Sequence, residues 1–226
     1  MCGIVGLHLK NAELHPHLGE LLVPMLVCMS SRGPDSAGVG LHDGDTMVVV
    51  KDVGSPAEIC ARHGIVDRAG FQGIGHTRMA TESAVTAQHS HPFSPLPDMA
   101  VVHNGSFSNH ATVRRRLERY GIRCTTDNDT EVAARFIGYQ VASGADLADA
   151  MRMVLKELDG FFTLLVTTGT QFAVLRDSFA CKPAVIAESP DYVAVASEYH
   201  ALAGLPGIAD ARVFEPVPEE VYTWSR

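Results

Sequence analysis

Short apolar runs broken by turn residues dominate the chain, with helical stripes between them. Residues 4–9 carry Ile4, Val5, Leu7 and Leu9 with little charge, which predicts a strand. Residues 11–17 read as a loop. Leu18, Leu21, Leu22, Met25, Leu26 and Met29 then recur at helical spacing and form one apolar stripe, with Pro24 inside it. Strands are predicted over 37–42 and 46–52, and Asp43-Gly44 between them is a hairpin signal. Residues 56–66 predict a short helix, 73–78 a strand running into a loop, and 79–97 an irregular segment. A strand over 99–103 ends, on this pattern, in an Asn104-Gly105 turn. Helices follow over 110–120, 130–141 and from Asp146 through 155. Strands over 161–167 and 172–176 make one hairpin, and those over 184–187 and 192–196 another. A short helix over 197–202 and strands at 213–214 and 221–224 close the list.

Regular βαβ units are missing from this order, which argues against a doubly wound sheet. The pattern predicts a single α+β domain. Two antiparallel sheets packed face to face, covered by helices, would bury the strands on both sides.

Composition narrows the partners. Apolar residues make up 46% of the chain and charged residues 19%, a folded rather than a disordered balance. A net charge of -8 argues against nucleic acid and against an anionic membrane surface. The five cysteines are widely spaced, with no Cys-x-x-Cys pair, so a reducing, cytoplasmic setting is expected. The first apolar run is too short for a signal peptide and lacks a basic leader. The longest mostly apolar stretch, 18–29, carries Glu20 and Pro24 and is too short to span a bilayer.

Five places carry candidate chemistry. Cys2 reads either as a small buried hydrophobe or as a nucleophile. If Met1 is removed, one residue holds a thiol and a free α-amine. The amine titrates near ~7.7–8.0 and the thiol near ~8.5, so the first can serve as base for the second. Arg78 sits among small, apolar and hydroxylic neighbours. It reads as a surface ion pair or as a fork for a planar carboxylate. Asn104-Gly105 reads as a turn or as an oxyanion hole, an amide and a backbone N–H aimed at one oxygen. Asp129 reads as a helix cap or as the holder of a ligand ammonium. The histidines, His89-Ser90-His91 included, match no metal-ligand spacing, so no metal is expected.

The combination is sharper than its parts. Met1-Cys2-Gly3-Ile4-Val5-Gly6, Arg32-Gly33-Pro34-Asp35-Ser36, Gly75-His76-Thr77-Arg78-Met79-Ala80-Thr81, His103-Asn104-Gly105 and Asp129-Thr130-Glu131-Val132 occur in this order, followed by Arg176-Asp177 and Ala196-Ser197-Glu198. The chain resembles the class II glutamine amidotransferases, which have the N-terminal-nucleophile hydrolase fold. The resemblance implies a four-layer α/β/β/α sandwich over 2–226 and hydrolysis of L-glutamine to glutamate and ammonia. It implies Cys2 as nucleophile, Asn104 and Gly105 as oxyanion hole, and Arg78 and Thr81 on the substrate carboxylate. Asp129 falls to the substrate amine, and Arg32 supports the nucleophile end. It implies no cofactor. Two positions depart from several synthase members, Met79 standing for Trp and Glu82 for His. The chain ends at Arg226 with no evident synthase segment. A separate ammonia-consuming synthase subunit is therefore expected, as for stand-alone proteins related to the glutamate synthase amidotransferase domain and the N-methylglutamate synthase subunit. Another N-terminal-nucleophile amidase and a non-catalytic scaffold subunit are the alternatives.

Overall fold

The computed structural model describes residues 2–43, 46–80 and 84–226. In chain order the strands are β1 (Gly3–Leu9), β2 (Ser36–Asp43), β3 (Thr46–Val53), β4 (Gln72–Arg78), β5 (Ala100–Phe107), β6 (Gly160–Thr167), β7 (Gln171–Arg176), β8 (Val185–Glu188), β9 (Tyr192–Ala196), β10 (Arg212–Phe214) and β11 (Val221–Ser225). The helices are α1 (Leu18–Cys28), α2 (Pro56–Arg62), α3 (His110–Arg119), α4 (Asp129–Ala142) and α5 (Leu147–Glu157).

Among the described residues the strands form two sheets, ordered β10-β8-β9-β1-β4-β2-β3 and β11-β7-β6-β5. Every pairing between these strands is antiparallel. α1 packs on β1 and β4, while α4 packs on β5 and α5 on β7 and β11. The result is the α/β/β/α sandwich of the N-terminal-nucleophile hydrolases.

Period-2 alternation explains how one strand serves two layers. In β1, Ile4 joins the core between the sheets, with Ile74, Val102, Leu165 and Phe172. Val5, Leu7 and Leu9 point the other way, onto Leu22, Leu26 and Met29 of the α1 side. Both faces of β1 are covered, so all seven of its residues are buried. β5 divides likewise. Ala100 and Val102 face the first sheet, and Val101 and Phe107 face the α4 and α5 layer.

Three expectations are corrected. Residues 11–17 are not a plain loop but hold a 3-10 helix, Ala12–His17, whose first turn is capped by the Asn11 side chain. The helix expected over 56–66 stops at Arg62, just before Gly64 at φ +60. Asn104-Gly105 is not a turn. β5 runs through it to Phe107, with Asn104 opposite Thr163 and Gly105 opposite Phe162. Gly105 takes φ +154, and a Cβ there would lie 2.1 Å from the Phe161 carbonyl oxygen. Glycine is thus required by a close strand contact rather than by a reversal of the chain. Gly44 of the expected hairpin turn lies outside the described residues.

Candidate active site

The nucleophile candidate is placed by strand pairing. β1 and β4 run antiparallel with Gly3 opposite Thr77, which sets Cys2 beside the end of β4, where Arg78 and Met79 follow. The Met79 N–H donates to Cys2 Sγ at 3.5 Å. Burial pushes the Cys2 thiol up, outweighing the Met79 hydrogen bond and the positive charges of Arg78 and Lys182. The resting thiol is therefore protonated at neutral pH and needs a base to become a nucleophile.

Arg32 sits behind it. Its Nε donates to the Cys2 carbonyl oxygen at 2.9 Å, and its Nη1 pairs with Glu198 Oε1. Asp35 holds the other side of the β4 end: its N–H donates to the Arg78 carbonyl, and its carboxylate accepts the Ala80 N–H at 2.8 Å. The Arg78 side chain is buried and donates to the Ala84 carbonyl at 2.9 Å.

The second sheet supplies the opposite wall. Asn104 is buried, and its Nδ2 has no hydrogen-bond partner among the described residues. α4 is capped not by Asp129 or Thr130 but by Asn128, whose side chain accepts the Thr130 N–H at 2.8 Å. That leaves the Asp129 carboxylate available. It accepts the Phe107 N–H at 2.9 Å and the Thr130 hydroxyl at 3.3 Å.

These walls enclose a polar cavity of about 70 Å³ that Cys2, Arg78, Gly105 and Asp129 all line. Met79, His91, His103, Ser106, Asn128 and Thr130 complete it. Asn104 is next to the lining in β5, and Arg32 lies one contact behind Cys2. Thr81 and Glu82 lie outside the described residues. The isolated residue types do not reveal His103, Thr130 or Asn128 as lining residues. Their signal was adjacency to the Asn-Gly and Asp positions, which spacing alone does not convert into contact. No group of three His, Cys, Asp or Glu among the described residues is arranged to hold a metal ion.

Three buried histidines cluster at the cavity, His91 and His103 as part of its lining and His76 packed against them. His76 and His91 stack with ring centroids 3.8 Å apart, and His76 Nε2 donates to the His103 carbonyl at 3.1 Å. Lys51 fixes the segment that carries His91, donating to the carbonyls of Ser90 at 2.8 Å and Pro92 at 3.0 Å. Burial lowers all three histidines, His76 to about 3 and His91 well below its ordinary value. A folded-state value below the unfolded 6.5 means the unfolded chain binds more protons, so stability is complete above pH 6.5 and is lost as pH falls toward 3. By pH 5, His76 alone is expected to cost about 2 kcal/mol, with His91 and His103 acting in the same direction. Urea denaturation at pH 7.5 and pH 5 reads this directly; an unchanged midpoint would contradict the buried neutral ring.

Residues 76–204 match a family described as the glutamine amidotransferase domain. The chain belongs to the glutamine amidotransferase family. It is 41% identical to the glutamine amidotransferase-like protein GlxB of Rhizobium meliloti, over 99% of this chain and 98% of that one. It is 36% identical to a putative glutamine amidotransferase of Methanothermobacter thermautotrophicus, over 98% of this chain and 99% of that one. Among solved structures it superposes on the glutamine phosphoribosylpyrophosphate amidotransferase of B. subtilis with a TM-score of 0.82 and 25% identity. That match covers all of this chain and 49% of the other, so this amidotransferase domain corresponds to about half of that enzyme. Its fold is that of the class II, N-terminal-nucleophile members. No described helix is long and apolar enough to cross a membrane.

Proposed function

We propose that this amidotransferase hydrolyses L-glutamine to L-glutamate and ammonia with Cys2 as nucleophile, once Met1 has been removed. The observation that carries the reading is the shared cavity of Cys2, Arg78, Gly105 and Asp129. A thiol raised by burial needs a base at hand, and the Cys2 α-amine is the nearest candidate.

The amine takes the thiol proton, and the thiolate attacks the side-chain amide carbon of glutamine. The resulting oxyanion accepts from the Gly105 N–H and from Asn104 Nδ2, which otherwise lacks a partner. The ammonium of Cys2 then returns a proton to the departing nitrogen, giving ammonia and a thioester. The same amine next takes a proton from water, whose hydroxide attacks the thioester. Collapse of the second oxyanion frees glutamate, and the thiol recovers its proton. Arg78, with Thr81, holds the substrate carboxylate, and Asp129 holds its ammonium. Arg32 fixes the Cys2 carbonyl, and so the direction of the amine. The domain spans 2–226 and works in the cytoplasm with a separate synthase subunit that consumes the ammonia, glutamate synthase-like in kind. Similarity to half of a phosphoribosylpyrophosphate amidotransferase supports such a division of labour.

The test is glutamate release by methionine-processed protein, with and without the candidate synthase, joined to trapping by a glutamine-like electrophile. Label on Cys2 is expected; label on Cys28 or Cys181, both exposed, with Cys2 intact would overturn the reading. Arg78→Ala is expected to raise KM for glutamine about 100-fold, the worth of a paired charge-assisted hydrogen bond. It should leave turnover of the amide lacking the α-carboxylate unchanged.

A further inference from the structure

His103 occupies a position that the mechanism above does not use. It lies in β5 one residue before Asn104, and its ring is buried and stacked on Phe107 with centroids 4.4 Å apart. Its Nδ1 is 2.8 Å from Thr130 Oγ1 and 3.9 Å from Asp129 Oδ1. A threonine hydroxyl has one proton. The Thr130 hydroxyl faces the Asp129 carboxylate at 3.3 Å, and a carboxylate only accepts, so that proton is directed to Asp129. Nδ1 of His103 must then be the donor in its own bond to Thr130. The ring is neutral, because burial lowers its pKa despite the nearby Asp129 charge. Nε2 is left bare, buried and without a partner among the described residues.

We infer that His103 is a positioning residue for substrate binding: through Nδ1–H and the Thr130 hydroxyl it orients the Asp129 carboxylate toward the α-ammonium of the bound amino acid. The inference rests on the assignment of Asp129 to that ammonium. Among the described residues, Asp129 is otherwise held by the Phe107 N–H on Oδ2, so the His103–Thr130 pair sets the direction of Oδ1. The relay explains why a histidine of this tautomer belongs at this site without touching the reacting atoms. It also makes His103 a determinant of selectivity for α-amino acids over simple amides.

Binding tests the relay without turnover. In the Cys2→Ala protein, calorimetry compares L-glutamine with glutaramate, the same molecule without its α-amine. His103→Gln places its amide at the Nε2 end, out of reach of Thr130. It is expected to weaken glutamine about tenfold and glutaramate by less than about twofold. His103→Asn places an amide nitrogen where Nδ1 lies and is expected to restore glutamine to within about threefold. Thr130→Val, which keeps shape and loses the hydroxyl, reads the same link if His103→Gln does not fold. Equal weakening of both ligands, an unweakened glutamine, or no rescue by His103→Asn would overturn the relay while leaving the Asp129 assignment standing. Equal affinity of the parent protein for the two ligands would overturn the Asp129 assignment itself, and the relay with it.

Discussion

Cys2→Ala is expected to lower glutamine hydrolysis by at least about 10³-fold with the fold retained. On the proposed mechanism, removing the sulfur removes the atom that forms the thioester, and the remaining cavity can only bind and polarise the amide. The fold should survive because Cys2 as a residue is half-buried and, among the described residues, the hydrogen bonds of its Sγ are the long ones to Met79, at 3.5 Å and 3.8 Å. A change of less than about 1 kcal/mol in stability is therefore expected. Glutamate release at saturating glutamine, with a thermal melt of the same sample, checks both halves. Residual turnover within tenfold of the parent would move the nucleophile elsewhere. A retained methionine should mimic the substitution, since an amide nitrogen ahead of Cys2 has no basic lone pair.

Gly105→Ala carries the second largest effect, and it acts through backbone rather than charge. At φ +154 an alanine is strained by about 1–3 kcal/mol before any contact is counted. The new Cβ would also lie 2.1 Å from the Phe161 carbonyl oxygen and 2.7 Å from Phe162 Cα, both backbone atoms of the paired strand. A side chain can rotate away, but a paired strand can only shift. The β5–β6 pairing must open beside the cavity and carry the Gly105 N–H with it. Loss of one oxyanion donor costs about 10²–10³ in kcat. The expected result is a loss of that size together with a visibly lower melting temperature, whereas an oxyanion donor lost without strand movement would spare stability. An alanine variant with parental kcat would remove Gly105 from the oxyanion role.

Legibility followed the range of the interactions. β1 and the α1 stripe were readable because local period settles which residues face a core. Asn104-Gly105 reads as a turn because Asn-Gly has a strong local preference, and strand pairing with Thr163 and Phe162 overrides it. Asp129 reads as the cap of α4 from its place in the chain, and only the geometry shows Asn128 in that role, accepting the Thr130 N–H. Cys2 and Arg78 were both candidates from local chemistry, yet 76 positions of chain gave no distance between them.

What the chain alone determined was the kind of parts: alternating strands with two buried faces, a thiol ahead of the first of them, and a family pattern in order. These are properties of near neighbours and of residue type. What only the tertiary structure decided was which parts meet. The β1–β4 register sets Cys2 against the Arg78 end, and the packing of β5 on α4 sets His103 and Gly105 beside Thr130 and Asp129. Burial then decides protonation, raising the thiol and holding the histidines neutral, because the cost of a charge depends on how much water the fold leaves around it.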